Sequence, residues 1–276
     1  MPHLTTDDGV RLYYEEAGSG APVVFVHEFA GDCRSWEAQL RFFGRYHRAI
    51  AFNARGYPPS DVPGDPCCYG LPFVVHDIAT VLRALNIEQA HIVGSSMGAY
   101  AALHFGCVYP ALTRSLVIAS VGSGSPPADR AAFVAESEAL ARLYSEQGSA
   151  AAAEIAARTP ARLPLLRKNP RAFAGFLHHL REHSALGKAG TLLGYQARRP
   201  SLQDYEQQFS TLRAPVLLIV GDQDKACLET TFWLKKTLPR AGLWVSPDTG
   251  HAVHLEEPEA FHQNVMNFLR SAEREP

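Results

Sequence analysis

Short apolar runs of β-strand length alternate with amphipathic helical patterns along most of this chain, and this alternation is the feature that most constrains its fold. The strand-like runs of the first half are PVVFV at 22–26, AIAFN at 49–53, AHIVGS at 90–95 and SLVIAS at 115–120. Continuous apolar runs of this length are typical of strands that are covered on both faces. Strands separated by helices at this spacing imply right-handed crossovers. We therefore expect an α/β fold, in which a mostly parallel sheet is flanked by helices.

The alternation stops between residues 126 and 210. Helix-like segments such as RAAFVAESEALARLYSEQ are punctuated there by prolines, and no convincing strand occurs. Strand-like runs resume with APVLLIVG and GLWVS. These changes predict a core in two parts, 1–125 and 211–276, with a helical insertion at 126–210. Two local patterns predict a hairpin around Asp8-Gly9 and an N-cap at Ser35 for the helix in SWEAQLRFFGRYHR.

Composition and charge narrow the classes of partner. The formal net charge of -2 provides no basic surface for nucleic acid. The longest apolar runs fall well short of the roughly 20 residues that a membrane-spanning helix needs. The opening MPHLTTDDGVRLYYEE lacks the basic and apolar regions of a secretory leader. We therefore expect a cytoplasmic protein that binds neither nucleic acid nor membrane and acts on a small molecule.

The run Gly94-Ser95-Ser96-Met97-Gly98 lies between a predicted strand and a predicted helix. A Gly-x-Ser-x-Gly pattern in that setting is typical of a nucleophile elbow, a strained turn that projects its central side chain above the sheet. Flanking glycines keep Cβ atoms out of the crowded turn. Ser96 is the central residue, so we expect Ser96, rather than Ser95, to be the nucleophile.

A serine hydroxyl needs a base that is itself oriented by a third group. Two later strand ends carry the required residue types, in Gly221-Asp222-Gln223-Asp224 and in Asp248-Thr249-Gly250-His251. Open α/β sheets place their ligands at the carboxyl ends of their strands. We therefore expect His251 to be the base, with Asp222 and Asp224 as rival orienting acids. The chain order Ser, Asp, His is that of the α/β-hydrolases.

Five segments resemble the α/β-hydrolase superfamily, in its esterase and lactonase branch with a helical cap: VVFVHEFAGDCRSW, FNARGYPPSD, HIVGSSMGAYAALHFGCVYP, APVLLIVGDQD and GHAVHLEEPEAF. The resemblance covers nearly the whole chain and is weakest in the insertion at 126–210, which would be the cap. It implies Ser96 as nucleophile, Asp224 as acid and His251 as base. The backbone N–H groups of Phe29 and Met97 would form the oxyanion hole. Neither a metal nor an organic cofactor is implied.

The resemblance indicates a serine hydrolase that cleaves a carboxylic ester or lactone through an acyl-enzyme. Carbon–carbon bond hydrolases of ring-cleavage products share the serine triad, and some members of the fold are small-molecule receptors that turn over slowly, so both remain alternatives. A third alternative is zinc binding by the segment HLREH, in which His179 and His183 are four residues apart.

The cap sequence predicts a mostly apolar pocket and hence an apolar ester or lactone substrate. The apolar cap residues considered are Phe133, Phe173, Phe176, Leu177, Leu192 and Leu193.

Glu28 departs from the family pattern, because relatives commonly have glycine there, directly before Phe29. A carboxylate that faced the oxyanion hole would oppose the charge that develops in the transition state. We expect the Glu28 side chain to turn away from the site, to bond to neighbouring backbone and to have a structural role.

Overall fold

A computed structural model describes residues 2–274 and contains one eight-stranded sheet. Its strands are β1 (His3–Thr5), β2 (Arg11–Ala17), β3 (Pro22–Val26), β4 (Arg48–Phe52), β5 (Ala90–Ser95), β6 (Thr113–Ala119), β7 (Val216–Gly221) and β8 (Ala241–Ser246). The spatial order is β1-β2-β4-β3-β5-β6-β7-β8. Strand β2 pairs antiparallel with β1 and β4. The other pairs join β4, β3, β5, β6, β7 and β8 in this spatial order, and all of them are parallel. The carboxyl ends of these six strands therefore meet at one edge.

Helices connect and cover the strands, as the alternating sequence pattern predicts. They are α1 (Glu37–Phe43), α2 (Leu71–Ala84), α3 (Met97–Val108), α4 (Arg130–Ala156), α5 (Leu163–Lys168), α6 (Pro170–Glu182), α7 (Ala185–Thr191), α8 (Glu206–Ser210), α9 (Lys225–Thr237), α10 (Val253–Glu256) and α11 (Pro258–Arg274). Helices α4 to α8 all lie between β6 and β7 in the chain. The mostly parallel sheet and its flanking helices confirm the expected fold class. No helix within residues 2–274 has the length and apolar character needed to span a bilayer.

The sheet is buried on both faces because successive residues of its central strands enter different cores. Val24 and Ile92 belong to the core that packs against α2 and α3. Phe25 and Val93 belong to the opposite core, which packs against α1 and α11. Alternate side chains of a strand point to opposite faces, so a strand between two cores has to be apolar at every position.

The structure confirms the predicted hairpin and contradicts the predicted N-cap. The hairpin is confirmed, because β1 and β2 pair antiparallel around Asp8-Gly9. The N-cap at Ser35 is wrong: a 3₁₀ turn, Cys33–Trp36, precedes α1, and its N-cap is Asp32, whose carboxylate accepts a hydrogen bond from the Arg34 N–H. Asp32 can cap this turn because Asp32 immediately precedes the turn and has an extended backbone conformation.

Glycine is required at both ends of the turn between β5 and α3. A Cβ atom added to Gly98 would lie 2.2 Å from the carbonyl oxygen of Val26, and one added to Gly94 would lie 2.5 Å from the carbonyl oxygen of Gly98. Both contacts are with backbone, which cannot rotate away as a side chain can. Helix α3 therefore begins against the end of β3 at a distance that only glycine permits.

We predict that Gly98→Ala destabilises the protein, because the new methyl group must push α3 away from β3. Overpacking of this kind costs about 1–3 kcal/mol. Gly175→Ala is the control, because Gly175 lies in α6 and has no heavy atom within 4 Å of the position of an added Cβ. Alanine in a helix interior should stabilise the protein by about 0.5–1 kcal/mol over glycine. Urea unfolding measures both changes, and equal stabilities would contradict the close approach of α3.

Candidate active site

Ser96 lies in the turn between β5 and α3 with a strained backbone. Its φ of 51° and ψ of -111° lie in a region that residues with a Cβ rarely adopt, at a cost of about 1–3 kcal/mol. Two hydrogen bonds hold it there, from the Ser96 N–H to the Ala119 carbonyl at 2.8 Å and from the Tyr100 N–H to the Ser96 carbonyl at 2.9 Å. Ser96 lines a cavity of about 280 Å³, whereas Ser95 is buried and does not line it.

The same cavity brings together most of the residues that the sequence singles out. Its lining includes Ser96, Asp224, His251 and Phe29. Met97 is buried in the core, so only its backbone can contribute to the site. Phe133 and Leu192 also line the cavity, whereas Phe173 and Phe176 are packed in a separate apolar cluster of the insertion.

Asp224 orients His251. The imidazole Nδ1 lies 2.7 Å from the Asp224 Oδ2, so Nδ1 carries the hydrogen and Nε2 is the nitrogen that can accept a proton. Burial disfavours the charged imidazolium, but the carboxylate of Asp224 outweighs this effect, and the pKa of His251 is raised well above its ordinary value. Burial likewise favours the neutral acid, but the charge of His251 lowers the pKa of Asp224. Asp224 therefore favours the imidazolium that would form when Nε2 accepts a proton.

Asp222 does not contact His251. Its Oδ1 accepts a hydrogen bond from the Thr249 N–H at 3.1 Å, and its side chain is exposed. Of the two aspartates that follow β7, the structure places Asp224 against the imidazole. Asp222 instead holds the loop that carries His251.

The N–H groups of Phe29 and Met97 donate to no backbone carbonyl within residues 2–274. His27 fixes the direction of the first of them. The Ala54 N–H donates to His27 Nε2 at 3.0 Å, so Nδ1 carries the hydrogen and donates to the Glu28 carbonyl at 2.8 Å. That carbonyl and the Phe29 N–H belong to one planar peptide group. Fixing the carbonyl therefore also fixes the direction of the N–H.

The next peptide group is fixed at its carbonyl by two further donors. The Phe29 carbonyl accepts hydrogen bonds from the Tyr57 hydroxyl at 2.9 Å and from the Lys188 ammonium group. Lys188 is fully buried against the ring of Phe29, with Nζ 3.4 Å from the ring centroid. Burial lowers the pKa of Lys188 well below its ordinary value. A side chain of α7 thus holds the loop that follows β3.

The expected orientation and partner of the Glu28 side chain are wrong, whereas its structural role stays a prediction. Glu28 lines the cavity, and its carboxylate forms a two-point ion pair with Arg162, in which Nη1 lies 2.9 Å from Oε1. Its Oε2 also lies 3.9 Å from Nε2 of His251. Burial favours the neutral acid, but Arg162 outweighs it and lowers the pKa of Glu28 to about 2. The carboxylate faces the site because its partner comes from the helical segment above it, and not from neighbouring backbone.

The HLREH segment forms a histidine–carboxylate hydrogen bond and an ion pair outside the cavity. His183 Nε2 lies 3.1 Å from the Asp32 carboxylate, and Glu182 pairs with Arg34 at 2.5 Å. Within residues 2–274, the grouping of three potential metal ligands is Asp224, Cys227 and His251. Asp224 and His251 in this group are already hydrogen-bonded to each other.

Sequence reasoning missed Arg162 and Lys188. Arg162 is 134 positions from Glu28 and Lys188 is 159 positions from Phe29. Both lie in the insertion at 126–210, outside the five segments that resemble the α/β-hydrolases. A charged residue at position 28, where the family has glycine, was the one available signal that a buried cation had to exist elsewhere.

Comparisons with known proteins place this geometry in a family. The family model described as "alpha/beta hydrolase fold" matches residues 21–258. A putative 2-succinyl-6-hydroxy-2,4-cyclohexadiene-1-carboxylate synthase of Bacillus subtilis is 27% identical over 98% of each chain. 3-Oxoadipate enol-lactonase 1 of Acinetobacter baylyi is 24% identical over 97% of this chain and 96% of its own. The structure of a thermophilic esterase from Thermogutta terrifontis, solved with malate bound, superimposes with a TM-score of 0.85, 25% identity and 98% coverage of both chains.

The family model matches most of the chain, and the relatives align from end to end. The eight-stranded sheet indicates the same fold. The chain belongs to the α/β-hydrolase fold family.

Proposed function

We propose that the protein is a serine hydrolase that cleaves a carboxylic ester or lactone through an acyl-enzyme at Ser96. The observation that carries this proposal is the shared cavity, which Ser96 enters from a strained turn and His251 enters with its Nδ1 fixed by Asp224. The similarity to an esterase and to an enol-lactonase supports the same class of reaction.

In the proposed mechanism, the Ser96 hydroxyl attacks the carbonyl carbon while Nε2 of His251 accepts its proton. The carbonyl oxygen becomes an oxyanion, to which the N–H groups of Phe29 and Met97 donate. His251 then gives the proton to the leaving alkoxide, and the acyl-enzyme remains. A water molecule, deprotonated by His251, attacks the acyl carbon and releases the acid and Ser96. Asp224 stabilises the imidazolium in both halves and keeps the proton on Nδ1.

We assign residues 126–210 as a cap that closes the cavity, with the core formed by 1–125 and 211–276. Phe133, Leu140 and Leu192 from this segment line the cavity, and they would contact the carbon skeleton of a small substrate. An apolar acyl or alcohol part fits these side chains.

We predict that a fluorophosphonate probe labels the protein once, at Ser96, because only this serine combines the turn with access to His251. Ser96→Ala should lose all labelling, and the matched control Ser95→Ala should keep it. Intact mass and peptide mapping measure the adduct. Labelling of Ser96→Ala at full strength would disprove the assignment. Steady hydrolysis of many phenyl acetate molecules per wild-type protein would exclude a receptor that turns over slowly.

We predict that Asp224→Asn lowers kcat by about 10³–10⁴-fold, because the imidazole loses the anion that orients it. Asp224 raises the pKa of His251, and His251 must be neutral to accept a proton. The acid limb of the kcat/KM profile should therefore move to lower pH in this variant. Asp222→Asn is the control, since Asp222 bonds only to the Thr249 N–H and should leave both quantities nearly unchanged. Equal losses in the two variants would refute the assignment of the acid.

We predict that Glu28→Gln retains most of the ester-hydrolysing activity and loses stability. The substitution leaves the buried guanidinium of Arg162 without its anion, and breaking a buried ion pair costs about 3–5 kcal/mol. Glu136→Gln is the control, because Glu136 lines the same cavity but is exposed. Thermal unfolding and initial rates measure the two effects. A large fall in kcat at an unchanged thermal midpoint would make Glu28 part of the chemistry.

A further inference from the structure

Arg199 is a buried cation on the wall of the candidate active-site cavity. Its side chain is 6% exposed and lines the cavity that also contains Ser96 and His251. The guanidinium lies among aromatic rings, 4.6 Å from the ring centroid of Tyr100 and 5.1 Å from that of Phe133. One nitrogen, Nη2, donates to the Ser123 carbonyl at 3.0 Å. A guanidinium carries five N–H donors, so this environment leaves donors unused.

The charge of Arg199 has no counterion within residues 2–274. Three arginines are buried in this part of the chain, and the other two are paired with carboxylates. Arg55 lies 2.7 Å from Asp77 and 2.8 Å from Asp8, and Arg162 pairs with Glu28. No carboxylate lies within ion-pair distance of Arg199, whose pKa is lowered by burial. A guanidinium nevertheless stays protonated in proteins, so its burial without an anion is costly.

Gln196 presents a second unsatisfied polar group on the same wall. Its amide oxygen is buried without a hydrogen-bond partner within residues 2–274, and the side chain lines the cavity. Gln196 ends a π-helical segment, Leu192–Gln196, that follows α7. Such segments are rare and occur frequently at functional sites. The Gln196 amide oxygen, which has no hydrogen-bond partner within residues 2–274, and the Arg199 guanidinium, which has no counterion there, thus lie in one cavity.

We propose that Arg199, assisted by the Gln196 amide, binds a carboxylate group of the substrate. This inference rests on the proposed function, and it makes the substrate an ester or lactone that carries an acidic group on an apolar skeleton. A planar guanidinium matches a carboxylate with two parallel hydrogen bonds, and the amide nitrogen of Gln196, not its unpartnered oxygen, can donate to the same group.

The other charged groups of the cavity do not compete for this role. Arg162 is neutralised by Glu28, and Glu136 is exposed and makes no ion pair with Arg199. The apolar side chains that line the cavity remain in contact with the carbon skeleton between the two ends of the substrate.

Two aryl esters test the substrate class, one with a terminal carboxylate and the other with a terminal methyl group in its place. Monophenyl glutarate carries a free carboxylate, and phenyl pentanoate has the same chain length without it. The wild type should hydrolyse monophenyl glutarate with the higher kcat/KM. Arg199→Met should lose about 10- to 100-fold in kcat/KM for this ester, the factor that charge-assisted hydrogen bonds provide, and should keep its activity on phenyl pentanoate. Equal losses on both esters would overturn the proposal.

Arg130→Met is the matched control. Arg130 also lies beside the ring of Phe133, at 5.7 Å from its centroid, but it does not line the cavity. This variant removes the same charge from the same neighbourhood and should retain the preference for monophenyl glutarate. Loss of the preference in Arg130→Met, but not in Arg199→Met, would refute the assignment to Arg199.

Binding of glutarate to Ser96→Ala separates this inference from the proposed hydrolysis. That variant lacks the proposed nucleophile but retains Arg199 and Gln196. Calorimetry should detect glutarate binding to Ser96→Ala and none to the double variant Ser96→Ala/Arg199→Met. The thermal midpoint without ligand should fall little in Arg199→Met, since the burial cost of a cation without a counterion offsets its hydrogen bond to Ser123 and its contacts with aromatic rings. Binding without hydrolysis of either ester would refute the proposed function alone, and equal binding to both variants would refute the carboxylate site alone.

Discussion

The close approach of α3 to the end of β3 is the constraint on which the rest of the site depends. A Cβ at Gly98 would lie 2.2 Å from the Val26 carbonyl and 2.6 Å from that of His27, so the first turn of α3 abuts the residues that lead to Phe29. This contact brings the Met97 N–H and the loop of Phe29 to neighbouring strand ends, although 68 positions separate them in the chain. The strain at Ser96 persists because the sheet and α3 both hold its backbone.

The loop after β3 is also held from the other side, by the helices between β6 and β7. Glu28 pairs with Arg162, the Phe29 carbonyl bonds to Lys188, and Asp32 lies 3.1 Å from His183. The loop that carries a proposed oxyanion donor is therefore fixed partly by the segment proposed as the cap. A displacement of that segment would release the Glu28 side chain and the Phe29 carbonyl, whereas His27 holds the peptide group that carries the Phe29 N–H.

Local patterns predicted the elements well because their causes are local. The run at 22–26 coincides with β3 and the run at 90–95 with β5, since an apolar stretch bounded by turn residues can satisfy both faces only as an interior strand. Topology predicted that the loops carrying Asp222, Asp224 and His251 meet, because parallel strands end at one edge, whereas the choice of Asp224 over Asp222 came from the family resemblance. The ion pair of Glu28 and Arg162 could not be predicted this way, since it depends on how the insertion at 126–210, where the family resemblance is weakest, folds over the site. Ser35 failed as an N-cap because Asp32, three residues earlier, opens a 3₁₀ turn ahead of α1.

The ion pair of Glu28 and Arg162 also explains how a carboxylate can lie so close to a site where negative charge would develop. An isolated anion 3.9 Å from Nε2 of His251 would oppose an oxyanion nearby, but the guanidinium of Arg162 holds the carboxylate in a two-point contact that cancels most of its field. Asp224 is likewise not an isolated anion, because its Oδ2 lies 2.7 Å from Nδ1 of His251. Within residues 2–274, Arg199 leaves a buried cation without a counterion in the same cavity. This unbalanced charge would attract the acidic end of a substrate before any chemical step takes place.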